Sequence, residues 1–107
     1  MDKDIIYQTI AKQIEEIYGV KGVDLETIIN SFNGVSEDNE EFLKRFQETF
    51  EVDMNGFDYY HFFHEDQFYV LPLVVLIIRL FRKSEEKSEL KIQHLVDVAQ
   101  NGKWSTP

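Results

Sequence analysis

The sequence predicts a small all-α protein: a four-helix bundle with a long loop after the first helix and an extra apolar helical segment near residues 70–83. Three observations predict it. Apolar residues recur every three or four positions in three separate stretches, which puts them on one face of a helix. No stretch carries a strand signal, so nothing competes with the helical reading. Pro (2) and Gly (5) are scarce and no Ser-rich linker interrupts the chain, so its 107 residues read as one domain, 1–107, with one modest core.

The first helix covers residues 3–18. Ile6, Ile10, Ile14 and Ile17 form its stripe, Ile5 and Tyr18 widen it, and Lys12, Glu15 and Glu16 stay outside. Gly19 stands where a helix ends in the left-handed conformation. The next loop, GVKGVDLETIINSFNG, carries Leu25, Ile28, Ile29 and Phe32 at helical spacing behind Asp24 as a cap, and Asn33-Gly34 closes it. A loop so rich in Ile and Leu has to fold back onto the bundle.

The second helix is the one around which the rest is arranged. It starts at Ser36 or Asp38 and runs to Phe50, with Phe42, Phe46 and Phe50 at i, i+4 and i+8 and Leu43 one position round. Asp38 with Glu41 three residues later fits a capping box, and acids in the first turn suit the positive end of the helix dipole. Asn55-Gly56 makes a turn, and FDYYHFF gives one or two helical turns dense in aromatic residues. Ten of the fifteen aromatic residues lie between positions 42 and 69, so a Phe-packed core is expected there. The run FYVLPLVVLIIRLFRK is apolar from Phe68 to Ile78, with Pro72 suited to the first turn of a helix. It is shorter than the roughly 20 residues that span a bilayer, and a buried helix is the plain reading. The last helix places Ile92, Leu95, Val96 and Ala99 on one face, stops at Gly102, and leaves Trp104 to anchor the edge.

Charge narrows the function. The net charge is −9, and residues 1–66 hold 16 acids against 5 bases. An acidic surface repels phosphate backbones, so no nucleic-acid partner is expected; it suits a protein with a basic surface. With no Cys there is no thiol nucleophile and no thiolate metal site. The opening MDKDIIYQTI lacks the layout of a signal peptide, which makes the cytoplasm the expected compartment. His61, His64, Glu65 and Asp66 invite a zinc hypothesis, yet they match no helical zinc pattern and no third fixed ligand is in view. Asp53 to Asp58 resembles a calcium loop only faintly, with the Gly two positions early and His64 where a bidentate Glu belongs. No nucleophile–base pair presents itself, and the expectation is a protein without catalytic, metal or cofactor residues.

Two stretches carry a resemblance. The elements are Glu41-Phe42, Phe46, Phe50-Glu51-Val52-Asp53, Gly56-Phe57-Asp58, Phe62-Phe63, Leu90 to Val96 and Gly102-Lys103-Trp104. In this pattern residues 34–104 resemble a bacterial family of uncharacterised acyl-carrier-like proteins, a domain of unknown function. The resemblance implies an acyl-carrier-like bundle and does not imply carrier activity. Ser36 stands where carriers hold the serine of the phosphopantetheine arm, although the Asp and Leu that flank that serine are replaced by Val35 and Glu37. An N-cap is the simpler and favoured explanation of Ser36, since it needs only the hydroxyl already present.

Three functions are compatible with these residues. The first is protein–protein recognition through the acidic face Glu37, Glu40, Glu41, Lys44, Glu48 and Glu51, by a monomer or a homodimer, with no cofactor. The second is a true acyl or peptidyl carrier with phosphopantetheine on Ser36. The third is a membrane- or partner-docking adaptor that uses residues 68–81.

Overall fold

The computed structural model describes residues 2–32, 34–63 and 88–107. The expected apolar helix near 70–83, the adaptor segment 68–81 and His64, Glu65 and Asp66 all lie outside the described residues. Within them the architecture is all-α: α1 (Lys3–Tyr18), α2 (Ser36–Phe50), the single turn α3 (Tyr59–Phe62) and α4 (Ile92–Asn101), with a short 3-10 turn at Ile29–Ser31. No strand forms among the described residues. Two isolated bridges tie loops to the α4 region, Ile28 with Lys91 and Asp53 with Lys103.

Helix α1 lies between α2 and α4 and packs on both. It begins with Asp2, whose side chain accepts the Asp4 amide at 2.9 Å, and ends at Gly19 with φ +71°. Gly tolerates this left-handed turn without a Cβ penalty. Ile6, Ile10 and Ile14 are buried as their spacing predicts, together with Phe42 and Phe46 of α2 and Ile92, Leu95 and Val98 of α4. Each such side chain contributes about 1.5–3 kcal/mol by leaving water. The Phe ladder is continuous: Phe42 and Phe46 lie 6.4 Å apart between centroids, and Phe46 and Phe50 5.3 Å apart. A second aromatic group forms where Trp104, half-buried at the edge, meets Phe57 and Phe62 at near-perpendicular ring angles.

The loop after α1 departs from its helical spacing. Asp24 does cap, its carboxylate accepting the Glu26 amide, but beyond that cap the backbone makes one turn and then extends. The reason is the α4 entrance. Amides of Ile92 and Gln93 donate to the Thr27 and Leu25 carbonyls, and the Ile29 amide donates to Leu90. Those first amides of α4 have no partner inside their own helix, so the loop supplies one. Asn30 completes the seam: its side-chain amide donates to the Phe62 and Ser88 carbonyls, and its oxygen accepts from the Leu90 amide.

The start of α2 also differs from expectation. Val35 is the N-cap residue and contributes no side-chain hydrogen bond, while Ser36 is the first helical residue and Asp38 lies in the first turn. The Asn39 amide closes the first turn on the Val35 carbonyl. At the other end Glu51 adopts a left-handed φ of +52°, the one non-Gly residue among those described to do so. The Val52 amide reaches back to the Gln47 carbonyl, and the buried Val52 side chain pins the turn.

Candidate functional site

The two flanks of α2 receive opposite treatment. On the flank that meets α1, polar groups are paired. Arg45 donates to Glu16 at 2.6 Å, and this bond holds the Glu16 carboxyl below its usual range. Gln13 donates to the Thr49 hydroxyl at 3.0 Å, and its own oxygen is the one buried side-chain polar atom among the described residues with no hydrogen-bond partner. At the N-terminal end the Tyr18 hydroxyl donates to the Asn39 oxygen at 2.7 Å, and Asn39 in turn approaches the Gly34 carbonyl and the Tyr59 hydroxyl. Burial, with the Asp38 charge behind it, pushes the Tyr18 hydroxyl well above the ordinary tyrosine range. A Cβ at Gly34 would stand 2.7 Å from the Tyr18 ring, so Gly is required there by close approach.

The outward face is different. Glu37, Glu40, Glu41, Lys44, Glu48 and Glu51 are all exposed. None of the five glutamates takes part in an ion pair among the described residues, whose four pairs join Lys3 with Asp97, Lys21 with Glu15, Arg45 with Glu16 and Lys91 with Glu26. Because Arg45 is turned away to α1, Lys44 is the sole cation that α2 places on this face. Of the six residues expected to form one surface, Glu37, Glu40, Glu41, Lys44 and Glu48 lie in α2 and Glu51 follows as its C-cap residue.

Beside that face lies an open groove of about 360 Å³, walled by Glu40, Leu43, Lys44 and Gln47 of α2 and by Met54, Phe57, Tyr59 and Tyr60. Tyr60 is 56% exposed. Sequence reasoning missed this groove and assigned its aromatic residues to the core. No local signal marks it, since the same spacing serves a buried stripe and a half-open one.

Ser36 is partly buried at the first turn of α2, beside the Gly34–Tyr18 contact. His61 is exposed and its Nε2 lies 2.8 Å from the Ser88 hydroxyl, while Asp53 and Asp58 accept the Asn55 and Tyr60 amides as turn caps. His94 contacts the Ser105 carbonyl. Among the described residues no group of three or more His, Cys, Asp or Glu is placed to hold a metal ion, and no helix is long and apolar enough to cross a membrane.

One family model, described as "Protein of unknown function (DUF1493)", matches residues 3–106. The chain belongs to the DUF1493 family. That match takes in every element of the fold, including α1 and the acidic face, so the face lies within the DUF1493 unit. Searches of curated proteins and of solved structures return no match.

Proposed function

We propose that this DUF1493 protein is a non-enzymatic, acyl-carrier-like helical protein that recognises a protein partner with a basic surface through the outward face of α2. The observation that carries this reading is the contrast in pairing. Arg45 is bound to Glu16, whereas Glu37, Glu40, Glu41, Glu48 and Glu51 stand exposed with no ion pair among the described residues and share their face with the single cation Lys44. Unpaired like charges on one helix repel one another at some cost to the fold, and a basic partner offsets that repulsion. Such a face steers a partner and sets its register. It is no place for nucleic acid.

The test compares the natural chain with a triple variant, Glu37→Lys, Glu41→Lys and Glu48→Lys, in proximity labelling within the host cell. Partners of the natural chain should be lost from the triple variant and released in vitro at about 1 M salt, where the screening length is about 3 Å. A control lysine placed on α4, Gln100→Lys, should leave them in place. Equal labelling by natural chain and triple variant would sink the reading.

A second reading is supported by the position of Ser36 at the start of α2: an acyl or peptidyl carrier with phosphopantetheine on that hydroxyl. Intact mass after co-expression with a phosphopantetheinyl transferase decides it. A gain of one arm that Ser36→Ala abolishes would establish the carrier; an unchanged mass from folded protein would remove it.

A further inference from the structure

We infer that the groove between α2 and α3 seats a bulky apolar side chain carried on a basic segment of the partner, an inference that rests on the reading of the α2 face as a recognition surface. The groove's apolar wall is made of Leu43, Met54, Phe57, Tyr59 and Tyr60, and Glu40, Lys44 and Gln47 complete its lining. Four of those five apolar residues are partly exposed and Tyr60 is more than half exposed. Leaving this much aromatic and aliphatic surface in water has a cost of about 25 cal/mol per Å² that an occupant would recover. Tyr is also among the residues that dominate interface energetics when covered.

Charge identifies the occupant. The α2 stripe nearest the groove runs Glu37, Glu40, Lys44, Gln47, Glu51, with Glu41 and Glu48 beyond it, and its glutamates have no ion-pair partner among the described residues. Within the groove Glu40 is set against Lys44, and the excess negative charge comes from Glu37, Glu41, Glu48 and Glu51 along the same side. This favours Lys or Arg flanking the apolar side chain just outside the groove. The larger groove, of about 600 Å³, between the start of α1 and α4 does not make the same demand. Three of its four acids are already engaged, since Asp97 faces Lys3, Glu26 holds Lys91 and Asp24 caps its own turn, and Lys3 lines it beside the fourth, Asp4. Size and shape argue against a free fatty chain in the smaller groove. At about 360 Å³ it lies near the bottom of the range for small-molecule sites, and it is open along its length, so a lipid would stay wet. A partner's side chain brings its own cover, and the surrounding contacts exclude water.

The experiment titrates the full chain with a short helical peptide bearing several lysines around one tryptophan, followed through backbone amide shifts. Two further peptides are run beside it, one with serine in place of the tryptophan and one with glutamates in place of the lysines. The expected result is perturbation at Leu43, Met54, Phe57 and Tyr60, with at least about tenfold weaker binding for the serine peptide, and none for the glutamate peptide. Leu43→Asp should weaken the tryptophan peptide by a similar factor. Should that variant fold poorly, Tyr60→Ser tests the same wall at an exposed position. Equal binding of the tryptophan and serine peptides, unchanged by Tyr60→Ser, would overturn the groove while leaving charge recognition by α2 standing. No binding by either lysine peptide, even at low salt, would overturn both.

Discussion

The two long flanks of α2 are built from the same kinds of residue and behave oppositely. Toward α1, Arg45, Thr49 and Asn39 each find a named partner, Glu16, Gln13 and Tyr18. Away from it, five glutamates of the outward face find none among the described residues, and an apolar groove opens beside them. Pairing separates polar groups that hold the fold from polar groups left for another molecule. A buried donor or acceptor left unmatched costs stability, so this flank pairs its polar groups with the single exception of Gln13 Oε1, whereas an exposed carboxylate is already satisfied by water.

That contrast can be broken by mutation, and the effects should fall in a clear order. Phe42→Ala, beneath the α1-facing side, removes a fully buried ring between Tyr18 and Phe46 and should lower stability by about 3–5 kcal/mol in chemical denaturation. A loss below about 1 kcal/mol would mean that the ring is not part of a tight core. Gly34→Ala comes next. The added methyl meets the Tyr18 ring at 2.7 Å, the ring is tied to Asn39, and overpacking of this kind costs about 1–3 kcal/mol. Its urea midpoint should fall with an unchanged slope.

On the outward side the triple reversal Glu37→Lys, Glu41→Lys and Glu48→Lys should change stability by no more than about 1 kcal/mol, since exposed charges contribute little to the fold. A larger loss would erase the distinction between the two flanks. The smallest effect belongs to the ion pair. Arg45→Gln removes the bond that lowers the Glu16 carboxyl, so Glu16 should titrate closer to an ordinary glutamate by NMR. Linkage sets the sign of the effect on stability. A lowered folded pKa adds stability above the ordinary glutamate range, and this is lost as the pH falls through the folded value. The variant should therefore show a slightly weaker pH dependence in that acid window. An unmoved Glu16 curve would show that the pair is not formed in solution.

Some of this was legible in the residues. The stripes of α1 and α4 and the Phe ladder of α2 are set by contacts between positions three and four apart, and Gly19 and Gly102 end their helices in the left-handed turn that Gly favours. Trp104 at the edge was readable for the same reason, as a large ring just past a helix stop. The acidic face was also visible, because a helix with its Phe residues inward has only one direction left for its glutamates.

Other features required the tertiary fold. Leu25, Ile28, Ile29 and Phe32 have helical spacing, yet the backbone is broken into a turn at Leu25, an extended Ile28 and a 3-10 turn from Ile29, because Thr27 and Leu25 accept amides from Ile92 and Gln93, far along the chain. Ser36 and Asp38 are both competent caps, and Val35 takes the place because the Gly34–Tyr18–Asn39 contact fixes where the chain enters α2. The groove is of the same kind: Leu43 comes from one helix, and Met54, Phe57 and Tyr60 from the segment after it. By itself the sequence determined the positions of α1, α2 and α4, the glycine stops at Gly19 and Gly102 and the sign of the outward charge, since these are local or additive properties of the chain. Only the tertiary structure decided which polar groups are paired and which apolar ones stay open, because pairing and exposure depend on residues that sequence distance does not bring together.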